Sequence, residues 1–244
     1  MPTMEGTPPP GIPVLEAEGG RRLARVHSYA RRGGRLSDRQ RGAWDAHHDR
    51  WVVPEEALRR PFDATAWFGR EAPLVVEIGS GNGASLVQVA AARPDIDVIA
   101  FEVWRPGVAD TLGRMAAAGV GNVRLCPVDA VEALEHLFVA GQLSEVWTFF
   151  PDPWPKNRHH KRRLVTPGFT ALVAGRLATG GVWRRATDWP DYAVRMREVL
   201  DAEPRLRGGP VPRWDERPVT RFERRGVAEG RTIADLAYRR IADA

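Results

Sequence analysis

Cysteine is almost missing from this 244-residue chain, where Cys126 stands alone in an apolar run. An internal disulfide is excluded, and so is a metal site built from paired thiolates, as suits a protein kept in a reducing cytoplasm. Lysine is nearly as scarce: of 36 Lys and Arg residues, only Lys156 and Lys161 are lysines. Apolar runs are short, none approaching the roughly 20 residues that would span a bilayer. The N-terminus also lacks the charged-then-apolar order of a signal peptide. The expectation is a cytoplasmic protein with no membrane partner and no metal.

What is present is a soluble composition, 43% hydrophobic and 27% charged, with enough chain to bury one substantial core. The net charge of +5 and an isoelectric point near 10.1 favour a polyanionic partner. Residues 1–20 hold Pro8, Pro9, Pro10, Pro13, Gly11, Gly19 and Gly20, and read as a disordered leader. Residues 21–70 form a basic arm with a helix start at Ser37. Between Arg21 and Arg60 it carries eleven arginines against five acids, with Tyr29, Trp44 and Trp51 among them. Such an arm either grips a nucleic-acid backbone or packs its aromatics on the main domain.

From 71 to 244 the pattern alternates. Strands are expected from Leu74, over Val98–Phe101, Val123–Val128, Glu145–Phe150 and Val182–Ala186. Helical patterns follow the first near Leu86–Ala90, then run over Arg105–Ala118, Val131–Ala140, Thr166–Leu177 and Asp191–Glu203. Gly180-Gly181 closes the fourth of these, a loop covers Pro204–Pro218, and Ile233–Ile241 is either a strand or a short helix. The expected fold is α/β: a Rossmann-like, doubly wound, mostly parallel sheet of about seven strands with helices on both faces.

In such sheets the ligand lies beyond the carboxyl ends of the strands. All five alternating strands end in an acid: Glu77, Glu102, Asp129, Asp152 and Asp188. Carboxylates gathered at one edge repel one another and call for a cationic or hydrogen-bonding occupant. The first turn reads E-x-G-x-G-x-G, with Gly79, Gly81 and Gly83, one residue short of the dinucleotide spacing G-x-G-x-x-G. An acidic rim would repel the diphosphate of NAD, which disfavours an oxidoreductase. S-adenosylmethionine, with a sulfonium, an ammonium and ribose hydroxyls, fits. Glu102 stands where an acid holds ribose hydroxyls in this architecture.

One stretch concentrates the remaining chemistry. FFPDPWPKNRHHKRR, from Phe149 to Arg163, sets Asp152 between two prolines and follows it with both lysines, three arginines and two histidines. P-D-P-W-P-K at 151–156, E-I-G-x-G-x-G at 77–83, F-E-V at 101–103, T-D-W at 187–189 and T-x-F-E at 220–223 together strongly resemble the bacterial tRNA (guanine-N7)-methyltransferases, class I S-adenosylmethionine-dependent enzymes. The likeness covers roughly residues 25–242.

The resemblance implies methyl transfer to the variable-loop guanine of tRNA. It places Glu77, Glu102, Asp129 and Asp152, with the glycine turn, at the S-adenosylmethionine site, and makes Asp152 the catalytic residue. It assigns substrate contacts to Lys156, Asp188, Thr220, Arg221, Phe222 and Glu223, and RNA contacts to Arg158, His159, His160, Lys161, Arg162 and Arg163. One departure is visible: where the family has Gly-His and then an apolar-Trp-Asp-Leu run, this chain has Gly230-Arg231 and Ile233-Ala234-Asp235-Leu236.

Guanine N7 bears a lone pair and no proton, so positioning outweighs proton transfer. Asp152 either stabilises the positive charge that develops on the base or accepts from its N1 and N2 hydrogens. Trp154 and Phe222 are candidates to stack on the base, Trp154 being equally suited to a structural role. The alternatives are an S-adenosylmethionine-dependent methyltransferase of another target, since P-D-P-W also resembles the loops of amino-group methylating enzymes, and a non-catalytic RNA-binding relative.

Overall fold

A computed structural model of the chain describes residues 28–29, 33–54, 57–58 and 61–242. The expected leader, 1–20, lies outside the described residues, as does part of the basic arm.

The arm's helix, α1 (Asp38–Trp51), starts where Ser37 and Gln40 form a reciprocal capping box. It packs on α4 (Arg105–Ala118) and reaches β3 (Val123–Cys126) through a Val52–Leu125 bridge. Trp51 is buried, and Arg105 lies 4.5 Å over the Trp44 ring. The aromatic side of this helix is thus packed onto the domain, while its arginines remain outside.

After the short α2 (Ala64–Phe68), strand β1 (Leu74–Ile78) sits at the centre of a seven-stranded sheet. Its side chains split by the period of a strand: Leu74, Val76 and Ile78 enter one core, Val75 the other. With β2 (Asp97–Phe101), β4 (Leu143–Phe149), β5 (Leu177–Thr187), β6 (Leu206–Val211) and β7 (Ala234–Arg240), the order is β3-β2-β1-β4-β5-β7-β6. The first five run parallel, and β7 is antiparallel to both its neighbours. One core takes side chains from α1, α3 (Ala84–Ala92) and α4, and the other from α5 (Ala130–His136), α6 (Pro167–Arg176) and α7 (Pro190–Asp201). The doubly wound α/β class is the one expected, and the strand order reverses at β1, between β2 and β4.

Some details go beyond or differ from the sequence pattern. β5 starts at Leu177 and carries Gly180-Gly181 inside it, because an irregularity opposite Leu143 and Glu145 absorbs the extra residues; Gly180 takes φ 84°. The expected loop after α7 contains the edge strand β6, whose Gly208 lies so close to Ala237 O that a Cβ would stand 2.1 Å away. Its Gly-Gly-Pro content hides it from propensity, and β7 supplies the pairing. The segment 219–223 opens a helix, α8 (Arg221–Ala228). The last apolar stretch, whose pattern suits a strand or a helix equally, is strand β7.

Candidate active site

A cavity of about 810 Å³ opens at the C-terminal ends of β1, β2 and β4, the reversal point of the sheet. Four of the five strand-end acids line it: Glu77, Glu102, Asp129 and Asp152. Each arrives differently. Glu77 is the fourth residue of β1 and is 4% exposed. Glu102 follows β2 and accepts from the amides of Gly81 and Trp104, both at 2.7 Å, which fixes the glycine turn against the next loop. Asp129 caps α5 by accepting from Val131 N at 2.8 Å. Asp152 stands in the loop after β4, with Phe149, Phe150 and Pro151 beside it in the wall.

Gly79 and Gly81, at φ 77° and 61°, line the cavity in a conformation that favours glycine. Gly83 does not line it. It caps α3 from behind, and a Cβ there would fall 2.4 Å from Thr111 Oγ1, so its role is close packing of α3 on α4.

Glu77 Oε2 is buried and has no hydrogen-bond partner among the described residues. Burial, and then the charge of Glu102, push this carboxyl up to about 8. A buried carboxyl with an unused oxygen calls for a hydrogen-bonding partner, and a bound cation favours its ionised form. The ammonium and sulfonium of S-adenosylmethionine fit that requirement; Glu77, Glu102, Asp129, Asp152 and the Gly79–Gly81 turn are the residues that would hold it.

The mouth has the opposite charge. Arg221 and Arg224 of α8 line it together with Thr220 and Phe222, and Arg114 of α4 also lines the cavity, donating to Asn82 O at 3.1 Å. Phe222 is 50% exposed. Thr220 accepts from Glu223 N and caps α8, whereas Glu223 is turned inward, onto Arg213 at 2.8 Å and Arg217 at 2.6 Å. Arg217 is fully buried, also bonds both oxygens of Asp235 at 3.0 Å, and lies 5.4 Å from the Phe150 ring. The T-x-F-E motif therefore divides: three residues reach the cavity and the fourth anchors the helix.

The basic run divides too. Asn157–Arg162 is a 3₁₀ helix, with Lys156, Arg158 and Lys161 exposed and His159 and His160 half-buried. His159 is held below its ordinary range by desolvation and by Arg158, Arg162, Lys156 and Lys161 around it. Arg162 lies 3.6 Å over Trp154 and donates to Tyr29 O, and Trp154 donates to Ser28 O at 2.8 Å. Trp154 thus has one ring face covered and its N–H engaged. Arg163 is 5% exposed, donating to Pro153 O and pairing with Asp191. Asp188 is absent from the cavity wall and pairs with Arg231.

Sequence reasoning passed over Trp104, Asp110, Arg114 and Arg224, which also line the cavity. Trp104 directly follows F-E-V, and Asp110 and Arg114 are spaced i, i+4 on α4, so they share a helix face. Among the described residues no group of three or more His, Cys, Asp or Glu is placed to hold a metal ion, and no helix is long and apolar enough to cross a membrane.

A reversal-point cavity with an acidic floor on a doubly wound sheet defines a Rossmann-like methyltransferase that uses S-adenosylmethionine. A family model described as "Putative methyltransferase" matches residues 71–236. A tRNA (guanine-N(7)-)-methyltransferase of Nocardioides sp. is 64% identical over 91% of this chain and 90% of its own. Namesakes from Cutibacterium acnes and Burkholderia cenocepacia are 47% and 44% identical, covering 95% and 99% of this chain and 91% and 98% of theirs. Among solved structures, the 16S rRNA (adenine(1408)-N(1))-methyltransferase from Catenulisporales acidiphilia superposes at TM-score 0.52. At 16% identity over 75% of this chain and 95% of that one, it speaks for the fold alone. The chain belongs to the tRNA (guanine-N(7)-)-methyltransferase family.

Proposed function

We propose that this protein methylates N7 of the variable-loop guanine of tRNA. The observation that carries the reading is the polarity of the cavity, with a buried, unpartnered carboxyl oxygen of Glu77 in its floor and Arg221, Arg224 and Phe222 at its mouth. The floor suits a cationic cofactor, and the mouth suits a base presented on a polyanionic chain. S-adenosylmethionine supplies an electrophilic methyl group when bound.

The chain's own work is positional. N7 needs no base to remove a proton, so a carboxylate in the wall serves by favouring charge that appears only as the base is alkylated. Asp152 has that place, and the same carboxylate can accept from N1 and N2 of guanine, so both roles are compatible. Phe222 offers an exposed ring for stacking. Lys156, Arg158 and Lys161 hold phosphates, and Arg162 and Arg163 shape the loop that displays them. We take 71–244 as the methyltransferase domain and 21–70 as the arm packed on it, in a cytoplasmic protein whose RNA partner is tRNA.

The test is incubation of bulk tRNA with the protein and methyl-labelled S-adenosylmethionine, followed by mapping of the label. The expected product is N7-methylguanine in the variable loop. Label accepted equally by tRNA carrying 7-deazaguanine, which has no N7, would overturn the assignment.

A further inference from the structure

The two faces of the sheet are covered unequally. On one, α6 and α7 pack over β5, β7 and β6. On the other, the core built with α1, α3 and α4 ends at Trp147 and Phe149 of β4, where the loop after β6 lays Trp214 against the two rings at 5.3 and 6.0 Å. The pairing register shows what lies beyond. Val182 of β5 stands beside Glu145 of β4, Arg239 of β7 pairs with Val182, and Arg207 of β6 pairs with Arg239; the next row is Trp147, Arg184, Ala237 and Gly209. Trp147 fixes which face these rows share, since directly paired residues point the same way.

Arg207 and Arg239 therefore stand directly opposite each other on this side, and both are exposed. Like charges so placed repel. Neither has a carboxylate partner among the described residues. Arg207 Nη1 donates to Pro204 O at 3.0 Å and to Leu206 O at 2.8 Å, and Arg239 Nη1 donates to Gly180 O, which leaves Nε and Nη2 of each guanidinium unbonded among the described residues. Glu145 and Glu216 offer no relief, being engaged by Arg93 and Arg184.

We infer that Arg207 and Arg239 form a second RNA-binding surface, which takes backbone phosphates of the tRNA outside the variable loop. The inference rests on the methyl-transfer reading above and deepens it with a contact to the body of the same substrate. Two guanidiniums with unused Nε and Nη2 edges match the bidentate geometry of phosphate, and a shared anion removes the repulsion between them. Val182, in the same row, lies five residues before Thr187, the end of β5. The pair is thus about 16 Å from the cavity edge of the sheet, at 3.3 Å per residue, a distance that a short RNA stem beside the variable loop spans. A two-fold pairing with a second copy of the chain would instead bring four arginines together.

The test measures equilibrium binding of bulk tRNA to the full chain across a range of salt. It compares wild type, Arg207→Gln/Arg239→Gln, Arg207→Lys/Arg239→Lys and, as control, Arg195→Gln/Arg197→Gln, which removes the same charge from exposed positions of α7 on the opposite face. The Gln pair should weaken binding at low salt on the order of tenfold and lower the slope of log K against log salt by about 0.7–0.9 for each phosphate no longer neutralised. The Lys pair should keep most of the slope, and the control should match wild type. Under turnover the Gln pair should raise KM for tRNA, with kcat and affinity for S-adenosylmethionine within about twofold, since neither arginine lines the cavity. Its melting temperature should not fall, because the substitution removes a repulsion.

A Gln pair with wild-type slope and affinity would overturn the inference. An equal fall of slope in the α7 control would do so too, by making the effect one of net charge. Self-association lost in the Gln pair with tRNA binding intact, read by sedimentation, would give the face to a second copy and equally overturn it. Binding is read without methyl transfer, so a wild-type protein that grips tRNA through this pair and methylates none of it would sink the reading of function and leave the surface standing.

Discussion

Phe150 and Trp154 both hold left-handed backbone, φ 52° and 45°, and Asp152 stands midway between them. Such a conformation costs a bulky side chain about 1–3 kcal/mol, so the surroundings must enforce it. Phe150 N donates to Ala186 O at 2.8 Å, Trp154 Nε1 is tied to Ser28 O, and Pro151 and Pro153 restrict the backbone between. The acid is carried on a stiff arch with one foot on β5 and the other on the N-terminal segment.

Asp152→Ala should therefore lower kcat by about 10²-fold, the scale for losing one preorganised electrostatic group. Cofactor affinity should change much less, because Glu77, Glu102 and Asp129 remain at the other strand ends. Single-turnover rates and calorimetric titration separate the two effects, and an unchanged turnover would remove Asp152 from the reaction.

Glu77 makes both folding and cofactor binding depend on pH. Its folded carboxyl sits at about 8, above the ordinary 4.5, so folding takes up a proton between those values. The stability of the free protein should fall as pH rises through that window, by at most about 1.4 kcal/mol per pH unit, and level off above it. Glu77→Gln should flatten this decline in thermal melts. A cationic ligand favours the carboxylate, so binding of S-adenosylmethionine should release a proton and tighten up to about pH 8. Calorimetry in buffers of different ionisation heat reads that proton directly, and identical heats in all buffers would refute it.

The basic run should separate into binding and folding residues. Replacing Lys156, Arg158 and Lys161 by alanine should weaken tRNA binding and lower its salt slope by about one for each phosphate no longer neutralised, with the melting temperature unchanged. Arg163→Ala should destabilise the fold by about 1.5–3 kcal/mol, since it removes a buried charged donor from Pro153 O and Asp191. Salt-dependent filter binding and thermal melts distinguish the two classes.

Arg217→Met should cost about 3–5 kcal/mol, because it leaves the buried carboxylates of Glu223 and Asp235 without their shared cation. Burial already lifts the Asp235 carboxyl above its ordinary range against the pull of Arg217. Denaturant titration measures the loss, and a cost below about 1 kcal/mol, on the order of a surface pair, would show that the network contributes little.

How far the sequence reached can be judged from single residues. Strand and helix periods, glycines and acids are local signals, and they yielded the doubly wound class, the helix near Arg105–Ala118 and an acid at or just beyond the end of each parallel strand. Strand β6 escaped because its pairing with β7 is made with residues about thirty positions downstream, and nothing in Leu-Arg-Gly-Gly-Pro-Val itself favours a strand.

The sequence by itself determined which residue types gather at the strand ends and that a cationic cofactor and a polyanion suit them. Only the tertiary structure decided which of those side chains face the cavity. Glu77, Glu102, Asp129 and Asp152 surround it because β1, β2 and β4 meet at the reversal of strand order. Asp188, one strand further out, lies beside α8 and is taken by Arg231; Glu223 and Arg163 are drawn inward in the same way by Arg217 and Asp191. A charged residue faces either a ligand or a partner within the fold. Those partners come from elements far apart in the chain, so their pairing is visible only once the sheet has brought them together.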